Sequence, residues 1–193
     1  MSETLYADRL LYPVTALGPG QRLALWVAGC PRRCPGCANP ELWRPLPKHA
    51  VKTDALSRAA QKLLEQKGIT RLTITGGEPF EQPAALARFL APLRPLLEDV
   101  LIYTGGLYRE LEKDPAAAPL LALADVIIDG PYIQEENDDK TPLRGSANQR
   151  VIFLNEALRP EYEAYMAGGR QVQNMVYGST ILSVGIHNRG REQ

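Results

Sequence analysis

Leu23-Ala24-Leu25-Trp26-Val27-Ala28 follows the turn-forming Gly18-Pro19-Gly20 and runs almost directly into Cys30-Pro31-Arg32-Arg33-Cys34-Pro35-Gly36-Cys37. Six consecutive apolar residues bounded by glycine suit a strand buried on both faces. Strands of that kind belong to parallel sheets whose two faces are both covered. Reading onward, Thr53 and Asp54 open a helical pattern with Leu56, Ala59, Ala60, Leu63 and Leu64 on one face, and Gly68 stands at the position of a C-terminal cap. Ile69 to Thr75 reads as a second strand running into Gly76-Gly77. Pro83 starts a second helix carrying Leu86, Phe89 and Leu90, which Pro92 and Pro95 end or kink. Val100 to Tyr103 and Val126 to Ile128 are two further apolar runs closed by glycine, with a short helical stretch from Leu107 to Leu111 between them.

All-apolar strands separated by amphipathic helices predict an α/β fold with a parallel sheet. A strand-helix unit takes about 30 residues, so a chain of 193 residues has room for fewer units than the eight of a closed barrel. The expectation is an open, partial (βα) barrel of about five or six parallel strands. Beyond Gln134 the pattern weakens into a polar loop, Glu135 to Lys140, followed by a strand at Val151 to Leu154 and a last apolar stretch at Ile181 to Ile186. With neither internal repeat nor linker, residues 1–193 read as one domain.

Lysine plus arginine and aspartate plus glutamate number 22 each, so the formal net charge is zero. No net field favours nucleic acid or an anionic membrane surface. No apolar run reaches the roughly 20 residues of a membrane span, and Glu3, Asp8 and Arg9 do not have the layout of a signal peptide. The expected location is the cytoplasm, with no nucleic-acid or membrane partner.

All three cysteines lie within eight consecutive residues. A disulfide framework normally uses even numbers of cysteines at wider separations, and in a reducing compartment a tight group more often binds metal. C-x3-C-x2-C spacing after a strand lets one loop turn three thiolates toward a common centre. A four-iron cluster normally takes four cysteines, and an open coordination position is what a catalytic metal site keeps. The same triplet is compatible with zinc completed by His49 or His187, or with three unrelated buried thiols.

Thr75-Gly76-Gly77-Glu78-Pro79 ends the second strand. Gly76 and Gly77 permit a close backbone approach to a ligand, and Glu78 offers a carboxylate to an ammonium group. Ligands of open α/β sheets gather at the carboxyl ends of the strands, where Thr104-Gly105 and Asp129-Gly130 also fall. Thr104 and Asp129 are therefore candidate hydrogen-bonding groups for a nucleoside or substrate.

The cysteine triplet and the Gly-Gly-Glu-Pro segment resemble those of the radical S-adenosylmethionine (SAM) enzymes. Three further stretches are similar to the activating enzyme of anaerobic ribonucleotide reductase and its relatives: Gly18-Pro19-Gly20-Gln21-Arg22, Cys34-Pro35-Gly36-Cys37-Ala38-Asn39, and Asp125 to Gly130 followed by Arg144-Gly145-Ser146-Ala147-Asn148-Gln149. The resemblance covers about residues 10–154 and leaves 155–193 as a C-terminal extension. It implies a 4Fe–4S cluster on Cys30, Cys34 and Cys37, with SAM on the fourth iron, contacted around Gly36, Cys37, Ala38 and Gly77 and by Gly76 and Glu78. Many radical SAM enzymes have an aromatic residue before the third cysteine, packing on adenine. Here, as in the narrower branch, that residue is Gly36, so adenine must lean on backbone or on other side chains.

The resemblance further implies reductive cleavage of SAM to a 5′-deoxyadenosyl radical that abstracts a hydrogen from a backbone glycine of a partner such as anaerobic ribonucleotide reductase. A flavodoxin or ferredoxin-type protein would supply the electron. Two other readings stand beside it: radical modification of a peptide or small molecule, and a non-enzymatic zinc-binding module. Glu161 to Met166 and Ile181 to Ile186 read as a helix and a strand added to the scaffold. Arg144, Asn148 and Gln149 suit either substrate contact or the ordering of their own loop.

Overall fold

The computed structural model describes residues 3–177 and 180–187. Seven strands make the main sheet: β1 (Thr4–Val14), β2 (Arg22–Val27), β3 (Ala50–Lys52), β4 (Arg71–Gly76), β5 (Asp99–Tyr103), β6 (Val126–Asp129) and β7 (Arg150–Phe153), in the order β3-β1-β2-β4-β5-β6-β7. The pairings β2–β4, β4–β5 and β5–β6 are parallel, and β1 and β7 run antiparallel to their neighbours. The α/β class and the mostly parallel sheet agree with the sequence. The contiguous parallel block has four strands rather than five or six, because β7 returns antiparallel beside β6 from a loop in place of a crossover helix.

Helix α1 (Thr53–Lys67) ends on Gly68, whose φ of 62° supplies the left-handed cap that its position in the sequence implied. Helix α2 spans Pro83–Leu90 and stops short of Pro92. Two single turns, α3 (Tyr108–Leu111) and α4 (Ala118–Leu121), follow β5. Leu23, Leu25 and Val27 of β2, Leu72 and Ile74 of β4, and Val100 and Ile102 of β5 pack with Leu64, Leu86, Phe89 and Leu90 beneath these helices.

The alternate residues of the same strands face a second layer, so both faces of the sheet are covered. Ala24 and Trp26 of β2 join Leu11, Val14, Leu17 and Val184, while Leu101 of β5 and Val126 and Ile128 of β6 join Leu143 and Tyr162. Helix α5 (Arg159–Ala167) and a separate two-stranded antiparallel hairpin, β8 (Val172–Tyr177) with β9 (Thr180–Gly185), supply that second layer. Tyr162 of α5 and Val184 of β9 are therefore part of the core. Tyr162 is fully buried and its hydroxyl donates to both carboxylate oxygens of Asp99, at 2.9 and 3.0 Å. Asp99 in turn holds buried Arg22 at 2.5 Å, and Arg22 Nε reaches Thr73 Oγ1 at 2.6 Å. Burial holds the Tyr162 hydroxyl protonated far above its ordinary range.

Among the described residues no helix is long and apolar enough to cross a membrane.

Candidate functional site

The cysteine loop leaves β2 at Ala28 and is fastened on two sides through its backbone. Gly29 N and Cys30 N donate to Leu42 O (2.8 Å) and Trp43 O (3.0 Å) on one side. On the other, Glu78 N donates to Gly29 O at 2.8 Å, and Gly77 N to Val27 O at 2.7 Å. This contact explains the paired glycines. A Cβ at position 76 would stand 2.5 Å from Val27 O, where φ is already 109°, and one at position 77 would overlap the Gly29 carbonyl oxygen. The close approach made by Gly76 and Gly77 in this structure is thus to the backbone that carries the cysteines.

Cys30, Cys34 and Cys37 are free and half-buried. Cys37 N bonds Cys34 O at 3.2 Å, and Asn39 N points at Cys37 Sγ at 3.4 Å. The loop turns through Arg33 (φ 48°) and Gly36 (φ 68°). Burial pushes the Cys30 thiol up, reinforced by the nearby charge of Glu78, while the backbone N–H groups of Arg32 and Arg33 pull it down. Among the described residues no three His, Cys, Asp or Glu side chains stand grouped closely enough to hold a metal ion as they are. The fit of a cluster accordingly rests on the donor set, three free thiols within eight residues of one loop with Ala38 exposed beside the third. Neither histidine is directed to them. Buried His49 accepts from Leu46 N at 3.1 Å through Nδ1 and has Nε2 3.5 Å from Asp8, while His187 Nε2 lies 2.7 Å from Ser183 Oγ in the C-terminal segment.

Glu78 is 4% exposed, and both of its oxygens are engaged within the protein. Oε1 accepts from Thr104 Oγ1 at 2.7 Å and from Phe80 N at 3.1 Å. Oε2 accepts from Gly105 N at 2.8 Å and faces Arg32 Nε at 3.4 Å. This carboxylate, the candidate partner of a ligand ammonium, joins the cysteine loop, the turn after β4 and the loop after β5. Thr104, 5% exposed, also accepts from Gly106 N at 2.9 Å. Asp129 has no exposed surface, accepting from Tyr108 N at 2.8 Å and clamping Arg150 of β7 through two bonds. In this structure Thr104 and Asp129, both buried, direct their side-chain oxygens to the scaffold.

The Arg144–Gln149 segment orders the loop after β6. Asn148 Nδ2 donates to Pro131 O (2.8 Å), Gln149 Nε2 to Gly130 O (3.0 Å), Arg144 Nη1 to Gln149 O (3.1 Å), and Gln149 Oε1 accepts from Gly145 N (2.8 Å). Among the described residues, buried Arg144 Nε and Asn148 Oδ1 have no hydrogen-bond partner.

The strand-end loops after β2, β4, β5 and β6 do meet. Arg32 spans from the cysteine loop to Glu78, with its Cδ 2.5 Å from where a Cβ on Gly105 would lie. Gln134, in the loop after β6, lies against Gly36. Sequence reasoning singled out neither Arg32 nor Gln134. Arg32 was signalled only by being a cation within the cysteine loop, and Gln134 by nothing local.

A family model described as a 4Fe-4S single cluster domain matches residues 16–152. Three proteins named anaerobic ribonucleoside-triphosphate reductase-activating protein are similar over most of the chain. The one from Vibrio cholerae is 33% identical over 147 residues, 72% of this chain and 93% of the relative. That of Escherichia coli is 30% identical over 153 residues, 74% and 96% respectively. That of enterobacteria phage T4 is 31% identical over 150 residues, 75% and 91%. Among solved structures, QueE from Escherichia coli aligns over 53% of each chain with a TM-score of 0.44 and 19% identity. The cysteine loop, the glycine pair that seats it and the Arg144–Asn148–Gln149 brace thus occur in a chain that belongs to the 4Fe-4S single-cluster family, among the anaerobic ribonucleoside-triphosphate reductase-activating proteins.

Proposed function

We propose that this protein is a radical SAM activase that installs a glycyl radical on a partner of the anaerobic ribonucleotide reductase type. The observation that carries the reading is the seating of the cysteine loop: three free, half-buried thiols at the carboxyl end of β2, locked by backbone hydrogen bonds to the Gly76-Gly77-Glu78 turn.

In this reading Cys30, Cys34 and Cys37 hold a 4Fe–4S cluster. Together the cluster and SAM supply one-electron cleavage of a sulfonium, which releases methionine and a 5′-deoxyadenosyl radical able to take a hydrogen atom from glycine. The chain's own contribution is positional. Gly77 keeps the turn in backbone contact with Gly29, so the thiols cannot drift from the strand end. Glu78 holds the loop after β5 through Thr104 and Gly105, and its charge keeps Arg32 beside the cysteines. The exposed backbone around Gly36, Cys37 and Ala38 is the side of the loop left for SAM. The radical must reach a backbone glycine on a loop of another protein, which suits a site built at the rim of the sheet. A flavodoxin or ferredoxin-type donor is the proposed electron source.

The test is an anaerobic assay of cluster-loaded protein with SAM and reductant, with and without candidate reductases. SAM cleavage together with a glycyl radical signal in the reductase is expected. Cleavage without that signal rejects the activase role and favours radical modification of a smaller substrate. Metal analysis giving zinc, without iron and sulfide, rejects the radical reading altogether.

A further inference from the structure

Gly36 and Gln134 meet where the cysteine loop faces the loop after β6. Gly36 has φ 68°, and a Cβ there would lie 2.8 Å from Gln134 Oε1 and 2.9 Å from its Cδ. The two residues are 98 positions apart in sequence, and both are exposed. The Gln134 carboxamide therefore lies directly on bare backbone one residue before Cys37. Among the described residues that carboxamide has no hydrogen-bond partner.

Gln134 is held there by an ordered loop. Ile133 N donates to Ser146 Oγ at 3.2 Å, Ala147 N to Glu136 O at 2.9 Å, and Asn137, buried, donates through Nδ2 to Tyr132 OH at 3.2 Å. The bonds from Asn148 and Gln149 to Pro131 O and Gly130 O fix the same loop to the end of β6. A side chain so placed, with unspent donor and acceptor and a glycine in front of it, has the makings of a recognition group. A carboxamide offers one N–H and one C=O side by side. That pair matches the amine and the adjacent ring nitrogen on an adenine edge, the bidentate pairing by which glutamine reads adenine elsewhere.

We propose that Gln134 is the residue that receives the nucleobase of SAM beside Gly36 and selects for its 6-amino group. This rests on the reading of the cysteine loop as a SAM site. Gly36 serves the same end, since any side chain at that position would displace the carboxamide.

The experiment measures binding, without turnover. Cluster-loaded wild-type protein and Gln134→Ala are titrated anaerobically with SAM and with its analogue lacking the 6-amino group. Equal iron content in the two proteins controls for cluster loading, and Gln134 is exposed, so the substitution removes no core packing. Wild type is expected to prefer SAM by about tenfold, the size of one good bidentate contact, and Gln134→Ala to bind the two compounds within about twofold of each other. The same preference in both proteins overturns the assignment alone. Loaded wild-type protein that binds neither compound overturns the SAM reading and this assignment with it.

Discussion

Thr104 Oγ1 donates a 2.7 Å hydrogen bond to Glu78 Oε1, tying the loop after β5 to the turn after β4 beneath the cysteines. With Gly105 N, Phe80 N and Arg32 Nε also directed at it, the carboxylate faces donors alone. Glu78→Gln places an amide N–H₂ against at least one of them. Because hydrogen bonds to charged groups are worth about 1.5–3 kcal/mol, this variant should lose about 2 kcal/mol of folding stability in chemical denaturation. Its SAM affinity should fall through misplacement of the strand-end loops. A variant as stable as wild type would show that the buried carboxylate is not the joint described.

Gly77→Ala tests the seat of the cysteine loop. The added methyl meets the Gly29 carbonyl oxygen, which is backbone and cannot rotate aside. Overpacking of this kind costs about 1–3 kcal/mol. The loop is expected to separate from the turn, with the iron and sulfide retained after anaerobic reconstitution falling well below wild type. Full cluster content in Gly77→Ala would contradict the backbone contact as the element that holds the loop.

Asp99 and Tyr162 test whether the C-terminal helix is structural. Tyr162→Phe removes a hydroxyl bonded to both oxygens of a buried carboxylate, at about 1.5–3 kcal/mol. Asp99→Ala leaves Arg22 buried without its partner, a loss of about 3–5 kcal/mol. Denaturant midpoints should therefore fall in the order wild type, Tyr162→Phe, Asp99→Ala. Equal midpoints would remove α5 from the core.

Asp138 sets a pH dependence in the loop that carries Gln134. Its carboxylate accepts from Thr141 Oγ1 (2.6 Å), Thr141 N (2.7 Å) and Lys140 N (2.9 Å), and these bonds hold it well below the usual carboxylate range. A depressed folded value means that the contribution is present above the unfolded value of about 4 and is lost as pH falls through the folded one. Amide protection factors at Lys140 and Thr141, each referred to the intrinsic exchange rate at the same pH, should hold at neutral pH and fall in strong acid. In Asp138→Asn the acid-dependent change should disappear.

The sequence was most legible where each residue's environment follows from its neighbours along the chain. β2, β5 and β6 carry apolar runs because both sheet faces are covered, β4 alternates Leu72 and Ile74 with polar residues, and α1 declares its end at Gly68. β1 was hidden. Irregular register between Ala7 and Arg9 and again between Leu11 and Val14 breaks its alternation, and Pro13 argues against a strand. The direction of β7 was equally hidden, since four apolar residues look the same whichever way they run. In the site, the cysteine triplet and the glycine pair are local patterns and were readable. The long-range partners of Glu78, Thr104 and Asp129 lie 21 to 46 residues away, beyond the reach of any local pattern. The Arg144–Gln149 motif was read both ways, and its hydrogen bonds in the structure serve the loop.

Gln173 Nε2 bonds Pro13 O at 2.9 Å, its Oε1 accepts from Thr15 N at 2.9 Å, and Tyr165 OH reaches Thr15 O at 2.9 Å. These links join positions 150 to 160 apart, so α5 and β8, made after the cysteine loop, close a layer that β1 begins. A ribosome-bound chain has already emitted its cysteines while α5, β8 and β9 are still unmade. During that interval the surface around Ala24, Trp26 and Leu101 is uncovered, and long-range closure of this kind is the slow part of folding. The thiols of that interval stand in a half-built protein until α5, β8 and β9 complete the layer.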